Sequence, residues 1–213
     1  MKILLAAFDP FGGESINPAL QAVKQVRKSI EGYTVVKVEI PTVFHRSMEI
    51  LKEKIQETNP DIIIAVGQAG GRAQISVERV GINIDDARIP DNQGNKPIDE
   101  KIVAGGAEAY FSNLPIKAMA DSIRRGGIPA EVSNTAGTFV CNHILYGLLH
   151  FIHTEKPGAR GGFIHVPFIP PQVTDRPGQP SMALTDITKA IESALRAAVL
   201  YKEDIRSEEG SLH

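Results

Sequence analysis

The sequence predicts a single-domain α/β/α sandwich, in which helices cover both faces of a mainly parallel, twisted sheet. Apolar runs rich in β-branched residues recur along the 213 residues, and helix-like segments separate them. This alternation is typical of parallel sheets covered on both faces, and the length suits one domain with a sizeable core. We therefore expect one domain over residues 1–213, with a polar, frayed tail from about residue 202.

Five apolar runs are predicted as strands. In chain order they are "KILLAAF", "TVVKVEI", "DIIIAVG", "AEVSNTA" and "GGFIHVPF". Ligands of open α/β sheets bind at the carboxyl ends of the strands. We therefore expect four loops to meet at one edge of the sheet: "FDPFGGES", "VGQAGGR", "TAGTFVCN" and "VPFIPPQ".

Five segments with apolar residues every three or four positions are predicted as helices. They are Asn17 to Ile30, Val43 to Thr58, Ile116 to Gly126, Cys141 to His153 and Ser181 to Tyr201. Asn17-Pro18 is a helix start signal, because asparagine caps helices and proline suits their first turn. Between Gly67 and Gly106 the periodic pattern fails, which predicts a long functional or mobile connection.

The composition excludes several classes of protein. A formal net charge of -2 with 42% hydrophobic residues is ordinary for a soluble protein and lacks the basic excess of nucleic-acid or anionic-membrane binding. One cysteine cannot form an intramolecular disulfide, and the amino-terminal apolar run is too short for a signal peptide. We expect a cytoplasmic protein with no bilayer-spanning segment.

No motif for a cofactor or metal is present in the sequence. The loops "GQAGGR" and "FGGES" lack both the G-x-G-x-x-G spacing and the Lys-Ser/Thr of a phosphate loop. There is no H-E-x-x-H motif, and His150 with His153 has helical spacing but no evident carboxylate partner. We expect neither a cofactor nor a metal.

The only cysteine lies where a strand-like run gives way to a helix-like one, in "SNTAGTFVCNHILYG". At the start of a helix, the dipole and the unpaired N–H groups would lower the pKa of Cys141 and could hold the oxyanion formed on attack. The alternative is a buried, unreactive thiol that fills space in the core.

A cysteine nucleophile needs a base, and His165 is the best-placed histidine. It ends the apolar run "GGFIHV" and should open onto the same sheet edge as Cys141. A third group would orient the imidazole, and the spacing leaves Glu78, Asp85 and Asp86 all open as that carboxylate. Packed or solvated roles are expected for the histidines inside helix-like segments, which are His45, His143, His150 and His153.

From Lys2 to about Tyr201 the sequence resembles the pyroglutamyl-peptidase I family of cysteine peptidases, also called pyrrolidone-carboxylate peptidases. The motifs that carry the resemblance are "FDPFGG", "GQAGGRAQISVERVGIN", "SNTAGTFVCNH" and "RGGFIHVPFIPPQ". The resemblance implies removal of an amino-terminal pyroglutamate (5-oxoproline) from peptides by a triad of Cys141, His165 and Glu78. It also implies a cytosolic homotetramer.

The resemblance further implies a set of substrate-binding residues. They are Phe8, Phe11, Asn17, Gln68, Ile89, Phe139 and Val140. Arg88, in "DARIP", could stabilise the oxyanion or serve as a structural cation for Asp85 and Asp86. A small neutral lactam fits an apolar, aromatic pocket with few polar groups.

Two other functions stay open at this level. One is a non-peptidase α/β enzyme, such as a nucleoside-phosphorylase-like protein, which would require phosphate. The other is a silent binding module that holds pyroglutamyl peptides and leaves them uncut.

Overall fold

The computed structural model describes residues 1–210; residues 211–213, the end of the predicted tail, lie outside the described part. A seven-stranded sheet lies between two layers of helices, which confirms the predicted α/β/α architecture. The strands are Lys2–Phe8 (β1), Ser29–Ile30 (β2), Tyr33–Ile40 (β3), Ile62–Gln68 (β4), Ile75–Glu78 (β5), Val80–Ile82 (β6), Ala109–Phe111 (β7), Ala130–Ser133 (β8) and Arg160–Val166 (β9).

The main sheet has the order β2-β3-β1-β4-β9-β5-β8. Strands β3, β1, β4 and β9 run parallel to one another, while β5 is antiparallel to β9 and parallel to β8. Strand β2 is an antiparallel edge, and β6 pairs with β7 outside the main sheet. The sheet is thus parallel in its centre and mixed toward β8.

The direction of β5 follows from the length of the connection before it. Strand β4 ends at Gln68 and β5 begins at Ile75, whereas a parallel return needs a crossover of roughly a dozen residues or more. The chain therefore reverses, and β5 and β8 end toward the opposite edge from β1, β4 and β9. The prediction that all four loops meet at one edge was wrong for "TAGTFVCN", which follows β8.

The stretch between Gly67 and Gly106 contains β5 and β6, which sequence analysis missed. The rest of this stretch is held in place by hydrogen bonds to side chains. The carboxylate of Asp91 is buried and accepts hydrogen bonds from the backbone N–H groups of Phe44, Gln93 and Asn95, at 2.8–3.0 Å. Part of the predicted connection is thus sheet, and the loop within it is tied to the body of the protein.

The described helices are Pro18–Gln25 (α1), Arg46–Thr58 (α2), Ile116–Arg125 (α3), Val140–Glu155 (α4) and Leu184–Leu200 (α5), with a short 3-10 turn at Pro170–Gln172. Helix α1 ends five residues before the predicted Ile30, because Glu31 and Gly32 form a tight turn with φ of 45° and 80°. That turn pairs Ile30 with Tyr33 in an antiparallel ladder.

Two hydrophobic cores lie on the two faces of the sheet. The first contains the apolar faces of α1, α3 and α5, and the second those of α2 and α4. Alternate residues of β1 divide between them, with Leu5 in the first core and Leu4 in the second. Among residues 1–210, no helix combines the length and apolar character needed to cross a membrane.

The segment after residue 201 is docked on α3, so the prediction of a frayed tail was wrong through Glu209. The Asp204 carboxylate accepts hydrogen bonds from the N–H groups of Lys117 and Ala118, at 3.0 and 2.9 Å. Helix α3 has no capping side chain of its own, because Pro115 precedes it. Glu209 also pairs with Arg124 near the other end of this helix.

Candidate active site

Strands β5 and β9 bring Glu78 and His165 to the same face of the sheet. Ile75 and Val77 point into the first core, so the alternating residues Ser76 and Glu78 point to the second. On β9, Ile164 faces the first core, which directs His165 to the second. Sequence analysis left Glu78, Asp85 and Asp86 open as the carboxylate that orients His165. Because Glu78 points to the second core, as His165 does, it is the carboxylate that lies beside the imidazole.

His165 is 4% exposed and is hydrogen-bonded to the fully buried carboxylate of Glu78. The distance from Nδ1 to Oε1 is 2.7 Å. Because an ionised carboxylate only accepts, Nδ1 carries the proton and Nε2 is left with its lone pair. Within residues 1–210 no protein group hydrogen-bonds to Nε2. The imidazole is therefore held in the tautomer that can take a proton at Nε2.

Cys141 is the second residue of α4, and its sulfur lies against the sheet beside His165. A Cβ built on Gly67 would be 2.9 Å from Cys141 Sγ, so the thiol fills the space that a side chain at position 67 would need. Gly67 on β4 is the direct partner of His165 on β9. Since paired residues of adjacent strands are about 4.8 Å apart and face the same way, the thiol and the imidazole occupy neighbouring positions on one face.

The first turn of α4 provides backbone donors around the sulfur. The N–H of His143 bonds to the carbonyl of Phe139 at 3.1 Å. The N–H groups of Val140, Cys141 and Asn142 precede it, and helix geometry leaves them without partners inside α4. In the described part of the chain, no side chain caps this end of the helix. These donors are suited to an oxyanion at the carbon that the sulfur attacks.

Burial dominates the ionisation of the thiol. Burial and, to a smaller extent, the negative charge of Glu78 together raise the pKa of Cys141 to about 12, and the positive charge of Arg72 only partly opposes them. The prediction that the helix start lowers this pKa was wrong for the free protein, because loss of water around the sulfur outweighs the favourable dipole. The resting site therefore contains a protonated thiol that needs a base.

The pKa values of both partners of the buried pair, His165 and Glu78, are lowered. Burial lowers the pKa of His165, the bond to Glu78 opposes this, and the charge of Arg72 adds to the lowering. For Glu78, burial alone would raise the pKa, but His165, Arg72 and Ser133 outweigh it and hold it below its usual value. At neutral pH the pair is an ionised carboxylate and a neutral imidazole.

Arg72 is a site residue that sequence analysis did not identify. Its guanidinium donates to Glu78 Oε1 at 2.7 Å and to the carbonyl of Thr135 at 3.0 Å. It thus connects the carboxylate to the loop that leads into α4. Its position in the quoted motif "GQAGGR" could have indicated that Arg72 belongs to the site. The spacing did not indicate which carboxylate it contacts.

Aromatic side chains collect around the start of α4. The ring of Phe139, which precedes Val140 and Cys141, is 6.0 Å from Phe11 and 5.3 Å from Phe44. Phe8, at the end of β1, is 6.1 Å from Phe163 on β9. Phe8, Phe11, Phe139 and Val140 were predicted substrate-binding residues, and the structure brings all four to this region; Phe44 and Phe163 were missed.

The polar residues predicted for the pocket have different surroundings. Asn17 is buried and caps α1: its Oδ1 accepts from Ala19 N–H at 3.0 Å and its Nδ2 donates to the Asp9 carbonyl at 3.1 Å. Gln68 follows Gly67 at the end of β4, and its Oε1 accepts from Gln172 Nε2 at 2.9 Å. Asn17 therefore fixes the geometry of the loop before α1, whereas Gln68, the strand partner of Val166, points its side chain to the first-core face of the sheet, away from the face that holds Cys141.

Arg88 and Ile89 lie at the exposed side of the site. The Asp86 N–H donates to the carbonyl of Thr138 at 2.9 Å, which joins their segment to the loop before the thiol. Ile89 is 44% exposed and its Cδ1 would be 3.7 Å from a Cβ on Gly12. Arg88 is exposed as well, and it is not paired with Asp85 as the alternative reading required.

Asp85 forms a second buried histidine–carboxylate pair. His143 Nδ1 is 2.7 Å from Asp85 Oδ2, and its Nε2 accepts from the backbone N–H of His45 at 3.0 Å. The expected packed role of His143 agrees with this position. Asp85 is thereby engaged by another histidine and does not orient His165.

The described residues contain no group of three or more His, Cys, Asp or Glu side chains arranged to hold a metal ion.

Comparison with protein families gives one assignment for nearly the whole chain. The family model of pyroglutamyl peptidase matches residues 1–201. A similar sequence is the pyrrolidone-carboxylate peptidase of Clostridium perfringens strain 13, which is 57% identical over 212 residues and is covered completely, as is this chain.

Solved structures with the same fold give the same result. The pyroglutamyl peptidase I of Bacillus amyloliquefaciens superposes with a TM-score of 0.94 at 50% identity, over 97% of this chain and 99% of that one. The pyrrolidone carboxyl peptidase of Thermococcus litoralis has a TM-score of 0.94 at 39% identity, with the same two coverages. The family resemblance found in the sequence motifs is thereby confirmed.

Proposed function

The chain belongs to the pyroglutamyl peptidase family, and from this premise we propose that it removes amino-terminal pyroglutamate from peptides, with Cys141 as nucleophile, His165 as base and Glu78 as the orienting carboxylate. One observation carries the assignment of roles. The Glu78–His165 bond of 2.7 Å leaves Nε2 without a partner among residues 1–210, on the sheet face where Cys141 Sγ packs against Gly67.

The first step joins enzyme and substrate. His165 Nε2 takes the thiol proton while Sγ attacks the carbonyl carbon that links pyroglutamate to the next residue. The proton must move during attack, because burial keeps the pKa of Cys141 high. The N–H groups of Val140, Cys141 and Asn142 stabilise the oxygen, which becomes negative, and Glu78 stabilises the imidazolium.

The second step divides the intermediate and restores the enzyme. The imidazolium gives its proton to the departing amine, the C–N bond breaks, and pyroglutamate remains as a thioester on Cys141. His165 then removes a proton from water, hydroxide adds to the thioester carbon, and the C–S bond breaks. Pyroglutamic acid leaves, and the thiol recovers its proton.

The pocket chemistry agrees with a neutral lactam as substrate. The rings around the start of α4 offer an apolar surface, which suits an uncharged ring. A free amino-terminal ammonium would instead need an acidic anchor, and Glu78 and Asp85 are each committed to a histidine. The substrate class is therefore pyroglutamyl peptides.

Location and assembly remain predictions: a cytoplasmic homotetramer that acts without nucleic acid, membrane, cofactor or metal. Phe111 and Ile98 are 69% and 70% exposed, which is unusual for large apolar side chains and agrees with subunit contacts. Light scattering in solution measures the molecular mass directly, and a mass of about 23 kDa, that of one chain, would rule out the tetramer.

The test of the function is release of a fluorescent amine from pyroglutamyl-aminomethylcoumarin under reducing conditions. The leucyl and prolyl analogues are the substrate controls, and Cys141→Ala and Cys141→Ser are the matched variants. We expect release from the pyroglutamyl substrate alone, and none from the folded variants.

Three outcomes would contradict the proposal. Full activity in purified Cys141→Ala would exclude the thiol mechanism. A folded, reduced wild-type protein that binds the substrate and leaves it uncut would be a binding module, while turnover that requires phosphate would indicate a phosphorylase. Iodoacetamide should inactivate the enzyme, and free pyroglutamate should protect it.

A further inference from the structure

We propose that Asn142 is a positioning residue for the reaction: its side chain ties the first turn of α4, which carries Cys141, to the strand segment that carries Glu78. This inference rests on the proposed function, since it concerns how two of the three triad residues keep their relative position. Asn142 directly follows Cys141 and is fully buried, at 0% exposure. It leaves no surface for the substrate and therefore acts through the backbone of α4.

The side chain of Asn142 is hydrogen-bonded to the backbone of the segment that begins with β6. Its Oδ1 accepts from the N–H of Ile82 at 3.0 Å. Its Nδ2 donates to the carbonyls of Ile82 and Ile84, both at 2.9 Å. Because the oxygen faces an N–H and the nitrogen faces two carbonyls, the amide has only one orientation. The Asn142 side chain thus binds Ile82 as a neighbouring strand would, through its N–H and its C=O.

Strand β6 lies directly against the backbone of α4 beside this bond. A Cβ built on Gly81 would be 2.7 Å from the backbone nitrogen of Tyr146 and 2.8 Å from its Cα. Tyr146 is four residues after Asn142, and residues with this spacing lie on one face of a helix. The contact between β6 and α4 therefore extends along one helical turn, and Asn142 anchors the end of it that is nearest to the thiol.

Strand β6 continues from the strand that carries Glu78. Strand β5 ends at Glu78, and only Arg79 separates it from β6. The backbone of Arg79 is held on both sides: its N–H donates to the carbonyl of Ser133, and its carbonyl accepts from the N–H of Ser112, both at 2.8 Å. The segment from Glu78 to Ile82 is thus fixed along its length, and a helix bound to Ile82 is held in a defined position relative to Glu78.

The two contacts of this helical turn restrain it from different directions. Cys141 Sγ packs against Gly67 on β4, while Asn142 holds the next residue of the helix to β6. Without the bonds of Asn142, the first turn of α4 is free to shift relative to His165 and Glu78. A misplacement of about 1 Å can cost about a hundredfold in rate, so this restraint matters for the transfer of the thiol proton.

Asn83 provides a matched control. It is 5% exposed, and its Oδ1 accepts from the N–H of Val103 at 2.9 Å. Its Nδ2 donates to the carbonyls of Val103 and Gly106, at 2.9 and 3.5 Å. Asn83 thus makes the same three kinds of bond as Asn142, but it binds the loop at residues 103–106 instead of α4. If both asparagines were merely structural, the same substitution should have the same consequences at both positions.

The experiment compares Asn142→Ser with Asn83→Ser, which each remove three bonds and leave room for water. We expect Asn142→Ser to lower kcat for pyroglutamyl-aminomethylcoumarin by about 10- to 100-fold. The inhibition constant of 2-pyrrolidone, the isolated lactam ring, should stay within about threefold, because the aromatic rings of the pocket keep their contacts with one another. Asn83→Ser should keep kcat within about threefold, although urea unfolding should show a comparable loss of stability in the two variants.

A second readout requires no substrate. Alkylation of Cys141 by iodoacetamide at neutral pH should be slower by about fivefold or more in Asn142→Ser, because the thiol is then farther from its base. The rate should be unchanged in Asn83→Ser. If Asn142→Ser does not fold, Asn142→Asp takes its place, with Asn83→Asp as its control. Asn142→Asp keeps the size of the side chain and the acceptor for Ile82, and it alters only the two donated bonds.

Wild-type kcat in folded Asn142→Ser or Asn142→Asp would overturn the inference, and so would an equal loss of kcat in the Asn83 variant. Lactam inhibition that weakens in proportion to kcat would also overturn it, because Asn142 would then shape the pocket and not the position of the thiol. Failure of the proposed function has a different signature: the wild-type protein would leave the pyroglutamyl substrate uncut, while the difference in alkylation between the two variants would remain.

Discussion

The molecule contains two buried histidine–carboxylate pairs that are nearly identical in their central bond. Glu78–His165 and Asp85–His143 both have an Nδ1–O distance of 2.7 Å, and all four side chains are at most 4% exposed. In each pair, within the described residues, one carboxylate oxygen is buried without a hydrogen bond. Burial and a short bond are thus not enough to identify the catalytic pair.

The difference lies at the second ring nitrogen. His143 Nε2 accepts from the backbone N–H of His45, which has a φ of 58° and begins the turn into α2. His165 Nε2 has no such partner in the described chain, and it lies beside the thiol. A histidine with both nitrogens engaged supports structure, and one with a free nitrogen can exchange a proton. The predictions below test this distinction.

The largest expected effect is on catalysis at His165. His165→Asn should lower kcat by about 10²–10⁴-fold, because the thiol loses its base while the pocket remains. The same change at His143, which is two residues from Cys141 but on another side of α4, should alter kcat by less than about tenfold in the folded protein. Steady-state rates with pyroglutamyl-aminomethylcoumarin decide this, and equal losses in the two variants would contradict the distinction.

The second expected effect is on stability, and here the larger effect is expected at His143. His143→Asn should lower the free energy of unfolding by about 2–4 kcal/mol, because it leaves a buried carboxylate and the His45 N–H without partners. Urea unfolding followed by circular dichroism measures the change. His153→Asn, at an exposed position of the same helix, is the control and should have little effect. A loss below 0.5 kcal/mol at His143, on the order of surface substitutions, would show that this pair is dispensable.

The third effect concerns the space for the thiol. Gly67→Ala would place a Cβ 2.9 Å from Cys141 Sγ and 2.8 Å from Phe163 Cζ, and neither contact can be kept. We expect kcat to fall by about 10- to 100-fold as the sulfur is displaced from His165. Gly158→Ala is the matched control, because a Cβ there meets nothing within 4 Å. Wild-type turnover and alkylation rates in Gly67→Ala would exclude this packing as a determinant of the site.

The smallest effect is a change in pH dependence at Arg72. Its positive charge contributes to the lowered pKa of His165, so Arg72→Met should raise that pKa. His165 acts as a base only when it is neutral, and the acidic limb of kcat/KM should therefore move to higher pH. Arg125→Met, on the exposed surface of α3, should leave the profile in place. A shift in the opposite direction would show that Arg72 acts on some other group.

The sequence predicted the sandwich, the start of α4 at the cysteine and the strand that ends near His165, because long periodic runs carry those signals. It missed β5, which has only four residues and lies in a stretch rich in Gly, Asp and Asn. Its alternation Ile75-Ser76-Val77-Glu78 is regular, but it is too short to distinguish from chance. The antiparallel direction of β5 was missed with it.

Contacts between residues that are distant in the sequence also could not be predicted. The motif "GQAGGR" contains Arg72, yet the partner of this residue, Glu78, lies on another element of the fold, β5. Spacing likewise gave no means to assign Asp85 to His143 and Glu78 to His165. The raised pKa of Cys141 depends on how the sheet and α4 enclose the sulfur. The sequence predicts the start of a helix and therefore its dipole. It does not predict how deeply the thiol is buried, and burial has the larger effect on the pKa.

The reversal of the chain between β4 and β5 also determines when the site is completed during synthesis. Both neighbours of β5 in the sheet, β8 and β9, follow it in the chain, and Glu78 and His165 are 87 positions apart. Contacts of such high sequence separation form late in folding. A nascent or truncated chain that ends before β9 therefore contains Cys141 and Glu78 but lacks His165, and by the proposed mechanism it is inactive until the central strand β9 has been inserted.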